Sequence, residues 1–161
     1  MIPVISFVAA SGTGKTTLLE RLIPLLKAWG LRVAVLKHDA HDFEIDYPGK
    51  DSWRFTQAGA DVTVVASGRH AAILENRPVP AEELAARIGH VDLILTEGWK
   101  HGPWPKVGVC RAGKPLPIPK EVCCALVTDA PEHSGIPQFA FDETERLAQF
   151  LWDFAQCRGM T

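Results

Sequence analysis

The sequence predicts an α/β fold in which helices cover both faces of a mostly parallel β-sheet. Apolar, strand-like runs alternate along the chain with segments of helical periodicity. The strand-like runs are almost continuously apolar, as strands buried on both faces of a parallel sheet are. The chain has 161 residues, of which 47% are hydrophobic and 22% are charged. We therefore expect a single domain spanning residues 1–161, long enough to bury a core.

The elements follow from the sequence in order. The first strand is expected at 2–8 and the first helix at 16–29, where Gly30 ends the helix as a C-terminal glycine. Further strands are expected at 31–38, 62–66, 91–97, 106–110 and 122–128, with a short neighbour at 70–74. Further helices are expected at 52–58, 81–88 and 142–155. The last of these has Asp142 as a plausible N-cap and an apolar face at helical spacing.

A glycine-rich segment joins the first strand to the first helix and reads Ala-Ala-Ser-Gly-Thr-Gly-Lys-Thr-Thr from Ala9. It matches the phosphate-binding loop G-x-x-x-x-G-K-[ST], except that Ala9 replaces the first glycine. In such a loop, successive N–H groups and the positive end of the helix dipole converge on one anion. Lys15 can reach the β- and γ-phosphates, and the Thr16 hydroxyl can ligate Mg²⁺. The predicted fold is therefore of the P-loop NTPase type.

Ligands of parallel α/β sheets bind outside the carboxyl ends of the strands. This rule selects the residues that follow each predicted strand, and we expect them to ring one crevice. They are the loop at 9–16, Lys37-His38-Asp39, Ser67-Gly68, Glu97-Gly98 and Thr128-Asp129.

Two carboxylates among these strand ends suggest chemistry. Glu97 ends a strongly apolar strand, at the place where phosphate-loop proteins hold Mg²⁺ or orient a nucleophile. The alternative for Glu97 is a solvated glutamate beside a turn glycine. Asp129 could accept hydrogen bonds from the paired donors of a guanine edge. Because the usual Asn-Lys-x-Asp motif is absent, a cap on a helix or turn is the other interpretation of Asp129. Asp92, at the opposite end of the Glu97 strand, is expected to be structural.

Three further segments are polar, aromatic or rich in proline. The loop at 38–50 contains His38 and His41, which either face the site or lie on a polar surface. Residues 99–106 include two tryptophans and basic side chains, which form either an exposed docking surface or part of the core. The proline-rich stretch at 112–120 is expected to be an extended connector or surface arm.

The overall charge and hydropathy exclude several classes. The net charge is −2, which provides no basic field for nucleic acid or a membrane surface. No run of 18 apolar residues is present, and the N-terminus lacks the basic start of a signal peptide. We therefore expect a cytoplasmic protein that binds neither nucleic acid nor membrane.

The motifs, taken together and in order, resemble the MobB family of molybdopterin-guanine dinucleotide biosynthesis adapter proteins. The resemblance covers nearly the whole chain, and it includes Ala9 in place of glycine. Its most specific parts are the Pro-Gly-Lys-Asp-Ser and Glu-Gly-Trp-Lys-His elements. The segments that carry it are residues 9–19, 36–38, 48–52, 58–60 and 92–101.

The resemblance implies a GTP-binding protein with weak Mg²⁺-dependent GTPase activity, usually a homodimer. Such a protein assists the molybdenum cofactor guanylyltransferase, the enzyme that joins GMP to molybdopterin. The implied catalytic residues are Lys15 and Glu97, and the implied Mg²⁺ ligands are Thr16 and Glu97. The implied nucleotide contacts are Ser11, Gly12, Thr13, Gly14, Lys15, Thr16, Thr17, Asp51 and Asp129. Asp51 and the Lys37-His38 pair are implied to lie near the γ-phosphate or a partner's cofactor. A possible partner or cofactor site comprises Lys37, His38, Lys100 and His101.

A small-molecule kinase is the alternative, because the same loop can serve phosphoryl transfer. A kinase usually needs a mobile lid that bears arginines. Here Arg69, Arg77, Arg87 and Arg111 are scattered, although Arg69 follows Ser67-Gly68 and stays a candidate. A third interpretation is a nucleotide-binding structural subunit without turnover.

Overall fold

The computed structural model describes residues 1–39, 43–131 and 135–159, with side chains described as far as Cys157. His41 therefore lies outside the described residues. The chain divides into two compact units, one built from residues 1–38 and 81–161 and the other from residues 39–80. The single domain expected over 1–161 stays a prediction.

The helices and strands lie close to their expected positions. In chain order the strands are β1 (Val4–Ala9), β2 (Val33–Lys37), β3 (Val62–Ala66), β4 (Ala71–Glu75), β5 (Leu93–Glu97), β6 (Lys106–Cys110), β7 (Cys123–Thr128) and β8 (Gln138–Phe139). The helices are α1 (Lys15–Ala28), α2 (Asp51–Gln57), α3 (Ala81–Arg87) and α4 (Thr144–Gly159), with a short 3-10 turn at Lys120–Val122. None of the helices in the described part of the chain combines the length and apolarity that crossing a membrane requires.

The first unit contains a six-stranded sheet in the order β2-β5-β1-β6-β7-β8, and every neighbouring pair is parallel. The central strand β1 has Ile5 and Phe7 fully buried against the apolar faces of α1 and α4. From α1 this core receives Leu18, Leu19, Leu22 and Leu26, and from α4 it receives Leu147, Ala148, Leu151 and Ala155. The predicted α/β class with a mostly parallel sheet is confirmed.

Residues 62–66 were predicted to form a strand of the parallel sheet, and this prediction was wrong. β3 does not join the parallel sheet but pairs antiparallel with β4, from Val62 opposite Glu75 to Ala66 opposite Ala71. The connection at 67–70 is a tight turn, in which the Ser67 N–H donates to the His70 carbonyl at 2.7 Å. A parallel neighbour would need a crossover of roughly a dozen residues. Ser67-Gly68 therefore lies in a hairpin turn of the second unit rather than at a strand end of the parallel sheet.

Asp92 has the structural role expected of it. At the amino end of β5, its carboxylate accepts hydrogen bonds from the Arg32 backbone N–H at 2.7 Å and from Arg32 Nε and Nη2 at 3.1 and 2.9 Å. The side-chain hydrogen bond from Arg32, with the backbone bond, lowers the pKa of Asp92 to about 2. The pair ties the start of β2 to the start of β5, at the sheet edge opposite the phosphate loop.

Candidate phosphate-binding site

The loop between β1 and α1 has the conformation that an anion site requires. Gly12 and Gly14 have φ angles of +68° and +99°, a left-handed region that a Cβ atom disfavours. The buried Thr13 hydroxyl donates to the Ala10 carbonyl at 2.8 Å and closes the loop from within. The N-cap of α1 is Gly14, which has no side chain to cap the helix, and no acidic residue lies in its first turn. The N–H groups of that turn are therefore available to a bound anion.

Lys15, Thr16 and Glu97 meet at the mouth of this loop. Glu97 ends β5, which pairs with β1 in a register that places Phe7 beside Glu97. The Thr16 hydroxyl donates to Glu97 Oε1 at 2.8 Å, and Lys15 Nζ lies 3.7 Å from the same oxygen. The Lys15 and Glu97 side chains are only 17% and 14% exposed. The structure thus brings together the cation, hydroxyl and carboxylate that the sequence pattern selected.

The end of β2 lies beside Glu97 and carries an aromatic cluster. The His38 N–H donates to the Glu97 carbonyl at 2.9 Å, and the His38 ring stacks on Trp99 with 5.2 Å between ring centroids. Trp104 meets Trp99 edge-on at 6.3 Å. Gly98 has φ +105°, and a Cβ there would lie 2.9 Å from the His38 Cβ. Close backbone packing therefore requires glycine at this position.

The basic residues of the same region face solvent. Lys37, Lys100 and His101 are exposed, whereas Trp99 and Trp104 are half-buried. Each tryptophan thus belongs partly to the packed cluster and partly to the surface. The partner or cofactor role expected of Lys37, His38, Lys100 and His101 stays a prediction.

Asp51 is the first residue of α2 and belongs to the second unit. Its side chain is 82% exposed, and one carboxylate oxygen lies 3.5 Å from Arg54 Nη1. The expected position of Asp51 near the γ-phosphate stays a prediction.

Asp129, which follows β7, has partners at both carboxylate oxygens. Oδ1 accepts the Ala112 N–H at 2.8 Å, and Oδ2 lies 3.5 Å from Arg111 Nη1. These contacts match the interpretation of Asp129 as a cap on a turn. A guanine edge would have to share the carboxylate with these two partners. This base contact stays a prediction.

Arg111 and Lys114 contact the phosphate loop, and sequence reasoning did not assign either of them to the site. Arg111 Nε donates to the Thr13 carbonyl at 3.0 Å, and Lys114 Nζ donates to the Gly12 carbonyl at 2.8 Å. Of the two interpretations of 112–120, the extended connector was wrong at residues 112–114, because Arg111 and Lys114 bond to each other's backbone across a turn. The surface arm agrees with the exposure of these three residues. The available signal was the position of Arg111 directly after a buried strand, at the carboxyl edge of the sheet.

A glycine loop between a parallel strand and a helix, with a strand-end carboxylate against its hydroxyl, defines a phosphate-loop nucleotide-binding protein. The family model described as molybdopterin guanine dinucleotide synthesis protein B matches residues 4–129 of the chain. The chain belongs to this family, as the sequence motifs predicted.

Individual relatives agree with this assignment. The Escherichia coli (strain K12) molybdopterin-guanine dinucleotide biosynthesis adapter protein is 39% identical, over 97% of this chain and 95% of that protein. The adapter protein of Haemophilus influenzae is 41% identical, over 93% of this chain and 88% of that protein. The crystal structure of Bacillus subtilis MobB superposes with a TM-score of 0.75 at 27% identity, over 95% of this chain and 98% of that one.

Proposed function

We propose that this protein is a GTP-binding adapter with weak Mg²⁺-dependent GTPase activity, which assists the conversion of molybdopterin to molybdopterin guanine dinucleotide. Family membership and the adapter names of its relatives support the pathway. The partners in this proposal are the molybdenum cofactor guanylyltransferase and molybdopterin, in the cytoplasm. The observation that carries the nucleotide site is the meeting of Lys15, Thr16 and Glu97 at the phosphate loop.

The donor set fits Mg²⁺. This ion prefers oxygen ligands in an octahedron at about 2.0–2.1 Å, so two adjacent ligands lie roughly 3 Å apart. The hydroxyl oxygen of Thr16 and Oε1 of Glu97 are 2.8 Å apart. We propose that these two residues hold Mg²⁺, directly or through water. Bound Mg²⁺ would offset the negative charge of the phosphates.

The chain's own residues then bind and orient the nucleotide. The N–H groups from Gly12 to Thr17 bind phosphate oxygens, and Lys15 exchanges its contact with Glu97 for a phosphate oxygen. Arg111 is engaged by the Thr13 carbonyl and by Asp129. Fast turnover would therefore need a further cationic group from a partner or second copy. The kinase alternative is not favoured, because the chain belongs to an adapter family.

Calorimetric titration with GTP and ATP, each with and without Mg²⁺, tests this function. We expect GTP to bind more tightly in Mg²⁺ than in EDTA, and ATP to bind at least about tenfold more weakly than GTP, a difference of roughly 1.4 kcal/mol. Equal affinity for the two nucleotides, or a preference for ATP, would contradict the GTP assignment and favour phosphoryl transfer to a small molecule.

We also propose that the protein is a homodimer, and one face of the second unit supports it. Val62, Val64 and Ile73 are 51%, 62% and 67% exposed. Val64 pairs with Ile73 across the hairpin, and Val62 lies two residues before Val64, so all three share one face. The other face carries Thr63, whose hydroxyl is hydrogen-bonded to that of Thr56 on α2. An apolar face that α2 leaves open suits a second copy of the chain.

Replacing Val64 with aspartate is expected to convert the dimer to a monomer, because the carboxylate would be buried unpaired against the second copy. Sedimentation equilibrium gives the mass directly. Val122→Asp is the matched control, since Val122 is 53% exposed in the first unit. A monomeric wild-type protein would refute the homodimer, and a dimeric Val64→Asp variant would refute this face.

A further inference from the structure

We propose that Arg111 and Lys114 are positioning residues that hold the phosphate loop open to an anion by binding its carbonyl groups from outside. We call these two side chains the outer clamp. The inference rests on the nucleotide site proposed above and deepens it. It assigns a task to two cations that the phosphate-loop pattern does not contain.

The outer clamp engages three successive carbonyl groups. Lys114 Nζ lies 2.8 Å from the Gly12 oxygen and 3.4 Å from the Ser11 oxygen. Arg111 Nε donates to the Thr13 oxygen at 3.0 Å. The loop and the clamp are in close contact, because a Cβ added to Gly12 would lie 2.9 Å from Lys114 Nζ.

Because the peptide bond is planar, these contacts to the carbonyl groups also fix the direction of the N–H groups that follow them. In a planar trans peptide, the carbonyl of one residue and the N–H of the next point in opposite directions. No described peptide bond in the chain is cis. The N–H groups of Gly12, Thr13 and Gly14 therefore point away from the clamp. Successive N–H groups on one side form the concavity that binds a phosphate.

The clamp is itself held in place. Both Asp129 oxygens anchor its base, one on the Ala112 N–H and the other near Arg111 Nη1. The Arg111 guanidinium lies 3.6 Å from the centroid of the Phe141 ring. The backbones of Arg111 and Lys114 bond to each other around Gly113, whose φ is +76°. The Arg111 guanidinium is thus prearranged and the backbone of Lys114 is fixed, which reduces the entropy lost when the two side chains hold the loop.

The clamp also reduces the electrostatic cost of the aligned loop. Three carbonyl oxygens on one side concentrate partial negative charge, which the two cations offset through charge-assisted hydrogen bonds. Because both side chains are exposed, we expect their removal to change the loop more than the stability of the fold.

Binding of GTP, GDP and inorganic tripolyphosphate to clamp variants tests the proposal. We expect Arg111→Ala to weaken binding of all three probes by about tenfold, and Lys114→Met to weaken it by roughly threefold. Losses of this size are expected because each variant removes charge-assisted hydrogen bonds to a partly solvated loop. Lys114→Arg should restore affinity, because its guanidinium can donate to both carbonyls. Arg87→Ala is the control, since it removes one exposed cation of α3 that is paired with Glu83.

A second measurement reports on the loop without ligand. In ¹⁵N-labelled protein, the amide signals of Gly12, Thr13 and Gly14 should shift and broaden in Lys114→Met and return in Lys114→Arg. Unfolding temperatures near the wild-type value would establish that both variants are folded.

The outcomes separate the clamp from the nucleotide site. Unchanged affinities in both Arg111→Ala and Lys114→Met would overturn the clamp alone. A loss confined to GTP, with GDP unaffected, would also overturn it, because that pattern indicates direct contact with the γ-phosphate. A wild-type protein that binds tripolyphosphate but shows no preference for GTP would refute the GTP assignment. In that case the affinity of the clamp variants for tripolyphosphate still tests the clamp. Binding of none of the probes to the wild type would refute the phosphate site and the clamp together.

Discussion

Lys15→Ala is expected to weaken GTP binding by about 100-fold or more, equivalent to roughly 3 kcal/mol. The Lys15 side chain is 17% exposed and its Nζ lies 3.7 Å from Glu97, so it is held at the mouth of the loop before any nucleotide arrives. Without this cation, only bound Mg²⁺ and the N–H dipoles of the loop would offset the charge of the phosphates beside the Glu97 carboxylate. The loss of affinity should therefore exceed that of any surface lysine.

Calorimetry in saturating Mg²⁺ measures this change, with Lys27→Ala as its matched control. Lys27 lies in the last turn of the same helix and is exposed. We expect the control to bind GTP as the wild type does, which separates the local charge from the overall charge of the chain. Wild-type affinity in a folded Lys15→Ala protein would refute the phosphate-loop assignment.

The parallel sheet could be predicted because its strands are buried on both faces. Ile5, Phe7 and Val8 in β1, and Leu93, Ile94 and Leu95 in β5, are all at most 2% exposed. Such strands appear in a sequence as continuous apolar runs bounded by turn residues. The helices between the strands have apolar residues at helical spacing, so the strand pattern and the helix pattern predicted the same fold.

The hairpin of β3 and β4 was misplaced because an apolar run does not specify its pairing partner. Val62-Thr63-Val64-Val65-Ala66 has the composition of a buried strand, yet Val62 and Val64 are exposed. The useful signal was the short interval to the next strand-like run, since Ser67 to His70 is too short for a crossover and suits a turn.

Some residues of the candidate site could be predicted from the sequence, and others could not. Lys15, Thr16 and Glu97 could be selected because a local motif and the strand-end rule apply to them without knowledge of the strand order. The outer clamp could not be predicted without the strand order, because Arg111 reaches Thr13 only when β6 lies beside β1. The two residues are 98 positions apart in the chain. Asp129 was selected as a strand-end acceptor, but the neighbours that occupy its oxygens were not predictable.

Glu97→Gln is expected to remove most of the Mg²⁺ dependence of GTP binding. Glutamine keeps the shape of the side chain and an oxygen that can accept from Thr16, but it removes the negative charge that a divalent cation needs. In Mg²⁺ we expect affinity to fall by roughly tenfold, or about 1.4 kcal/mol. In EDTA we expect Glu97→Gln to bind GTP more tightly than the wild type does. The neutral side chain no longer repels the phosphates or competes for Lys15, which lies 3.7 Å from Glu97.

The reversal makes this variant more informative than a simple loss of affinity. A general weakening of the loop would lower GTP affinity in both buffers, whereas removal of a metal ligand lowers it only when Mg²⁺ is present. Glu20→Gln, an exposed change on α1, is the matched control and should retain the wild-type ratio between the two buffers. If Glu97→Gln also retained that ratio, Glu97 would not belong to the metal site, and its bond to Thr16 would serve only to hold β5 against the start of α1.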